Sequence, residues 1–285
     1  MSIQYVRRFI TKNQAYLKNE STTDERYLNM HLNGPSGAVL HSIGTPQPSG
    51  EVIAEYFDSP TVEASVHMVL EPNGTCYRLA PNYYRMWHAG GTANNTHMGI
   101  EMTEPRAISY DPSKGYAVTI LDRESALSHV KQTYERAVEL FADLCLTYGW
   151  DPLEDGVILS HRECYNRGLG SNHGDPEHLW EALHTGYTMD TFRKAVWETL
   201  QKMKQETQSR PTEDDEEEEE YEMRYQTLGE LREDPKAPYY LPTIEKLIEM
   251  GVLLGKGGRG DDRIIDLSED AVRILVLLDR IGLFS

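Results

Sequence analysis

Ten histidines in 285 residues are many, and seven of them (His41, His67, His88, His97, His161, His173 and His178) fall on predicted strand ends or in glycine-rich connections. The richest stretch runs from Leu159 to Trp180: a strand-end histidine, His161, then a glycine-rich loop, then His173, Asp175 and His178. Catalytic zinc takes three protein ligands and keeps a fourth position open. His161 and one residue of the returning loop supply two ligands, and a histidine from a distant strand, such as His41, supplies a third. On the residues alone, hydrogen-bonded histidines in a polar loop remain the alternative. His161 and Cys164 form a rival H-x-x-C pair, disfavoured because a thiolate there leaves Asp175 redundant. His129 lies off the apolar face of its helix and reads as a surface residue, while His31 and His184 have no supporting context.

Strands and helices must position these groups. Ala38–His41 is a short apolar run closed by Gly44 and Pro46, a buried strand. Val66, Met68 and Leu70 alternate with His67, Val69 and Glu71, and Asn73-Gly74 turns the chain into Thr75–Leu79, a strong hairpin signal. In Met98–Met102, the residues Met98, Ile100 and Met102 share one face and leave Glu101 on the other. Val157-Ile158-Leu159 is a fourth strand and delivers His161. Leu127, Val130, Tyr134, Val138, Phe141, Cys145 and Tyr148 recur at helical spacing until Gly149, and a second amphipathic helix carries Phe192, Val196 and Leu200. The expected class is α/β, a mixed central sheet flanked by helices.

The formal net charge of −18 is strongly localised, because eight acids run consecutively from Glu213 to Glu220. Such a tract self-repels and reads as a solvated linker. It separates a large domain, residues 1–206, from a small module, 223–285, with 207–222 as linker. The module reads as helical: Pro242 suits the first turn of a helix through Ile244, Leu247 and Ile248 that ends before Gly251. Asp266 with Glu269 resembles a capping box for a last helix that is apolar nearly all round and must be covered. With no basic cluster, nucleic acid is excluded as a partner. No apolar run approaches the roughly 20 residues of a membrane span. Three cysteines are too few for a disulfide scaffold and suit a reducing cytosol.

Five segments in order resemble the type 2 N-acetylmuramoyl-L-alanine amidases, zinc enzymes related to peptidoglycan recognition proteins. They are Val39–Gly44, Ser65–Leu70 with Asn73-Gly74, Trp87–Gly91, Met98–Glu101, and Ser160–Glu163 with Asn172–Pro176. The resemblance covers roughly residues 30 to 200. It implies that His41, His161 and Asp175 are zinc ligands, with Asp175 standing where members carry Cys or Asp. It implies Glu101 as general base and His173 as the group that stabilises the oxyanion. His67, Trp87, His88 and Asn95 match positions near the substrate groove, although His67 and His88 suit structural roles equally. Val66 departs from phage members that place a catalytic tyrosine there, which favours the Glu101 group.

The implied reaction is hydrolysis of the amide joining N-acetylmuramic acid to L-alanine in peptidoglycan, leading to wall lysis. Two alternatives accompany it: a non-catalytic peptidoglycan-binding module, and a zinc peptidase cutting within the stem peptide. The N-terminus lacks a secretory signal, so the expected protein is a cytoplasmically made phage or prophage endolysin, released through a holin, or an autolysin freed at cell lysis. Wall targeting and homodimerisation are both open to the C-terminal module.

Overall fold

The alternation read along Met98–Met102 extends across the whole sheet and divides it into a core face and a functional face. The computed structural model describes residues 3–115, 117–208, 224–234, 237–253, 260–280 and 283, and it splits into two compact units, Met1–Arg210 and Pro211–Ser285. The acidic run Glu213–Glu220, read as linker, lies outside the described residues.

The first unit contains, in order, β1 (Gln4–Arg7), α1 (Gln14–Glu20), α2 (Glu25–Asn33), β2 (Gly37–Ser42), α3 (Gly50–Phe57), β3 (Met68–Leu70), β4 (Thr75–Arg78), β5 (His97–Met102), β6 (Ile108–Asp111), β7 (Ala117–Ile120), α4 (Arg123–Tyr148), β8 (Ile158–Ser160), α5 (His161–Asn166), α6 (Glu177–Ala182) and α7 (Met189–Gln208). Six strands form one mixed sheet in the order β1-β4-β3-β5-β2-β8. All neighbours are parallel except the β3–β4 hairpin, which Asn73-Gly74 closes with Gly74 at φ 92°. Alternation sends Ala38, Leu40, Met68, Leu70, Met98, Ile100 and Met102 to one face. There they meet Val130, Tyr134 and Phe141 of α4 and Phe192 and Val196 of α7. Fully burying one such side chain contributes about 1.5–3 kcal/mol, so the two long helices anchor the sheet. Asp122 caps the start of α4 through its side chain, and Gly149, at φ 68°, ends it.

The opposite face carries Val39 and His41, His67 and Val69, Gly99 and Glu101. The parallel strands β2, β5 and β8 all end on the same side of the sheet, and their carboxyl ends deliver His41, Glu101 and His161. Ligands of open α/β sheets gather in that place.

The second unit has its own core, and it is not purely helical. Strand β9 (Arg224–Thr227) pairs antiparallel with β10 (Ile264–Ser268), accompanied by α8 (Leu228–Glu233), α9 (Ala237–Glu249) and α10 (Glu269–Arg280). Tyr225, Leu228, Leu231, Tyr240, Ile244, Ile265, Val272 and Val276 pack together. Two expected helix starts shift. Helix α9 begins at Ala237, so Pro242 lies inside it. Asp266 belongs to β10, and the Ser268 hydroxyl accepts a hydrogen bond from Ala271 N–H at 3.2 Å at the start of α10. The module covers Val272 and Val276 of α10, whereas Ile274 and Leu277 remain exposed. Among the described residues, no helix is long and apolar enough to cross a membrane.

Candidate metal and catalytic site

His41 reaches the site because β2 runs straight beneath it, and all six residues of that strand are buried. His161 depends on a more local device. Ser160 ends β8 and caps α5: its hydroxyl accepts from Glu163 N–H at 3.0 Å, while the Glu163 carboxylate accepts from Ser160 N–H at 3.1 Å. This capping box fixes His161 at the first helical position, and Arg193 clamps Glu163 at 2.9 and 3.0 Å. The S-x-x-E signature in Ser160–Glu163 was available in the sequence to mark that helix start.

The returning loop brings Asp175 between the two histidines. It is held against the Trp87–Gly91 segment by Ser171 N–H donating to Ala89 O at 2.8 Å and Ala93 N–H donating to Leu169 O at 3.0 Å. A Cβ on Gly91 would lie 2.3 Å from Leu169 O, so only glycine permits this approach.

Asp175 Oδ2 lies 3.1 Å from His41 Nδ1, and Asp175 Oδ1 lies 3.4 Å from His161 Nδ1. All three residues are buried, and one ligating atom from each falls within 4.8 Å of the others. Ligands at zinc distances of about 2.0–2.2 Å in a tetrahedron are separated by roughly 3.3 Å, which matches both contacts. Two imidazoles and a carboxylate therefore fit a divalent cation. Among the described residues, this is the one His/Cys/Asp/Glu group arranged to hold a metal. Although burial raises the Asp175 pKa, hydrogen bonds and charges from His161 and His41 outweigh it and leave the carboxyl well below the usual range. The ligand set is thus charged before any metal enters. Burial lowers the His41 pKa, favouring the neutral imidazole that binds metal.

Glu101 faces His41 directly across the β2–β5 register. Its Oε2 is buried and has no hydrogen-bond partner. Burial, then the charges of Asp175 and Glu104, push its pKa well above that of a free glutamate. A buried, unpaired carboxylate oxygen beside a cation site can accept a proton from a water placed there.

His173 stands exposed at the rim. Its ring centroid lies 4.4 Å from that of His161, and its Nδ1 is 3.0 Å from Ser171 Oγ, which is itself 3.2 Å from His161 Nε2. Glu101 and His173 thus flank the triad.

The four residues matched to a substrate groove do not form one surface. His67 is completely buried, with Nε2 donating to Tyr84 O at 2.7 Å and Nδ1 accepting from Gly99 N–H at 2.9 Å. Both ring nitrogens are occupied by backbone, so the substrate-contact expectation for His67 is corrected to a structural one. Burial accordingly lowers its pKa to about 4. His88 is also buried and turns inward: Nε2 lies 3.0 Å from His97 O and Nδ1 lies 3.0 Å from His41 Nε2. It too is corrected from the groove to the interior. Asn95 Oδ1 accepts from Arg85 Nε–H at 2.6 Å, and Trp87 donates its indole N–H to Tyr27 O–H at 2.8 Å. Of the four, Trp87 and Asn95 keep part of their surface exposed.

Two further expectations change. Cys164 is fully buried beside Val39 and Leu159, and burial pushes its thiol up to about 12, which removes the rival H-x-x-C pair. His129 is half-buried, with Nε2 donating to Thr103 O at 2.9 Å. Sequence reasoning missed Glu104, which is entirely buried just past the end of β5. It accepts from Gly44 N–H at 3.2 Å and Tyr110 O–H at 2.7 Å, and burial raises its pKa to about 7. No spacing signal marked it, since its partners come from the loop after β2 and from strand β6.

With this geometry in place, comparison with known proteins is informative. The family model described as N-acetylmuramoyl-L-alanine amidase matches residues 31–178. The N-acetylmuramoyl-L-alanine amidase BlyA of Bacillus subtilis is 26% identical over 143 residues, which are 47% of this chain and 37% of that protein. The match thus spans little more than a third of that relative's length. Among solved structures, the Staphylococcus aureus hydrolase AmiA, determined in complex with its ligand, aligns with a TM-score of 0.51 at 16% identity, over 72% of this chain and 87% of that one. At that identity the likeness concerns the fold.

Proposed function

The chain belongs to the N-acetylmuramoyl-L-alanine amidase family, and from that premise we propose that it hydrolyses the amide between N-acetylmuramic acid and L-alanine in peptidoglycan, using zinc. The observation that carries this reading is the buried His41–His161–Asp175 triad with the unpartnered oxygen of Glu101 beside it. Zinc held by the three residues would polarise the scissile carbonyl and bring the pKa of water to about 7.

The chain's own residues do the rest. Asp175 contributes the single negative charge of the triad, so a dication keeps a net positive charge that attracts the carbonyl oxygen. Glu101 Oε2 takes the proton from the attacking water and returns it to the leaving alanine nitrogen, which departs as a neutral amine. His173, protonated, donates to the oxyanion as the carbonyl carbon becomes tetrahedral. Burial of His41, His161, Asp175 and Glu101 excludes bulk water from the polar centre and strengthens each of these interactions.

Digestion of purified sacculi with end-group analysis tests the reaction. Free alanine amines without new reducing sugars are expected. Release of new reducing ends would mean glycan cleavage, and binding without release would mean a peptidoglycan-binding module. Exhaustive chelation should abolish release and added zinc should restore it; full activity in demonstrably metal-free protein would overturn the zinc assignment.

The domain boundary belongs to the same proposal. Residues 1–206 are expected to fold alone and keep activity on soluble fragments, because their core is complete without the second unit. The measurement is a cooperative melt and turnover on a soluble muropeptide; an insoluble truncation would show that the two parts share a core. Consistent with the family reading, the protein acts on the wall as an endolysin or autolysin, and residues 223–285 serve wall targeting or dimerisation.

A further inference from the structure

His88 has no place in the reaction as proposed, yet it is buried against His41 and hydrogen-bonded at both ring nitrogens. The direction of those bonds can be worked out. The His97 carbonyl can only accept, so His88 Nε2 carries the proton at that 3.0 Å contact. A neutral His88 ring then has a bare lone pair at Nδ1, and the partner 3.0 Å away, His41 Nε2, must be the donor. A metal at His41 Nδ1, the atom 3.1 Å from Asp175 Oδ2, would leave the ring's proton on Nε2, where His88 Nδ1 can accept it.

We propose that His88 is a positioning residue which, by accepting the Nε2 proton of His41, fixes the tautomer and ring plane that present His41 Nδ1 to the metal. This rests on the zinc reading given above and deepens it. A ligating histidine that donates its other ring N–H to an acceptor is oriented and made more basic by it. Usually that acceptor is a carboxylate or a backbone carbonyl. Here the acceptor is a second imidazole, which passes the polarisation on to the His97 carbonyl.

Three features hold His88 in that pose. Its backbone N–H and that of Ala89 both donate to Asn94 Oδ1, at 3.1 and 2.8 Å, locking the turn that carries it. Its ring lies against Gly99 of β5, where a Cβ would come within 2.4 Å of His88 Cγ. The neighbouring strand position therefore has to be glycine for the ring to reach His41. The His41 and His88 ring planes cross at 81° with centroids 5.2 Å apart, a separation that accommodates the 3.0 Å contact between their nitrogens.

The test uses the full-length protein labelled with nitrogen-15 at histidine. Long-range proton–nitrogen correlation spectra of the zinc- or cadmium-loaded wild type should show the His41 proton on Nε2 and the metal on Nδ1. A proton on Nδ1, or metal at Nε2, would overturn the proposal without any variant. Zinc affinity is then read by competition with a chromophoric chelator. His88→Leu should weaken zinc by about 10–100-fold and broaden or lose the His41 Nε2 proton signal. His88→Asn, whose amide oxygen can stand near the place of Nδ1, should recover most of both. Should His88→Leu fail to fold, the wild-type spectra and His88→Asn still decide. Wild-type affinity and an unchanged His41 signal in His88→Leu would reduce His88 to packing. A wild type that takes up no metal would instead overturn the zinc reading itself, which separates the two failures.

Discussion

Glu101→Gln should lower turnover by about 10²–10⁴-fold, the usual contribution of a positioned general base, while zinc content stays at the wild-type level. The glutamine matches the carboxylate in shape but cannot accept the water proton, and Glu101 contributes no atom to the His41–His161–Asp175 group. The same substitution should alter stability in the opposite sense. Burial, Asp175 and Glu104 raise the folded-state pKa of Glu101. The metal-free folded protein therefore holds this proton where the unfolded chain, with a pKa of about 4.3, has lost it. That linkage favours folding fully below the unfolded value, and the advantage disappears as pH rises through the folded one. Wild-type, metal-free protein thus bears the cost of ionising a buried carboxyl at high pH, and the glutamine variant does not. The melting temperature of the variant relative to wild type should climb as pH rises above about 4.3. In the loaded enzyme the cation brings the Glu101 pKa back down, and turnover should rise along an acid limb governed by that ionisation. Normal turnover in Glu101→Gln would assign the base elsewhere; a melting difference that does not vary with pH would mean that Glu101 is not strained by its burial.

How legible this site was in the sequence depends on what each residue's position rests on. Glu101 could be singled out because β5 alternates and leaves it opposite Met98, Ile100 and Met102, and His41 because it ends a short, wholly buried apolar run; their roles came from the resemblance. His161 could be read from the strand that ends before it. Asp175 and His173 could not be separated from other loop residues by periodicity, and their assignment came from resemblance. His88 was left open between the groove and a structural role because a turn histidine in a glycine-rich segment carries no sign of which way its ring points. That direction is set by Gly99, eleven residues on and in a different element. The elements missed altogether have weak local signals. Strand β1 is an edge strand whose four residues are all exposed, so it shows no alternation. Helices α1 to α3 are short, and each is started by a side-chain cap, at Asn13, Asp24 and Ser49, rather than by a long apolar stripe. In the second unit, Ile264–Ser268 runs directly into α10, and Asp266 within that strand was read as the cap of the helix.

His161 and His173 offer the sharpest contrast, because their rings nearly touch and yet they should fail in different ways. His161→Ala removes one of three ligands from a buried site, so zinc should be lost and activity with it, with no recovery at moderate zinc excess. His173→Ala should retain zinc and lose about 10²-fold or more in turnover, the scale on which one oxyanion donor acts. The geometry supports this division. His161 Nδ1 is turned to Asp175 Oδ1 at 3.4 Å, whereas His173 Nδ1 is turned to the Ser171 hydroxyl, which also stands 3.2 Å from His161 Nε2. Ser171 therefore lies between the two imidazoles. Were His161 a ligand and His173 the oxyanion donor, Ser171 Oγ could accept a ring N–H from each and leave His173 Nε2–H for the oxyanion. His173→Lys keeps a cation at the rim and should retain partial activity, with the alkaline limb of its pH profile moved upward, since a lysine loses its proton at higher pH than a histidine. Metal analysis and turnover on the three variants decide the matter. Zinc lost from His173→Ala but kept in His161→Ala would exchange the two roles, and an alkaline limb unmoved in His173→Lys would remove His173 from oxyanion stabilisation.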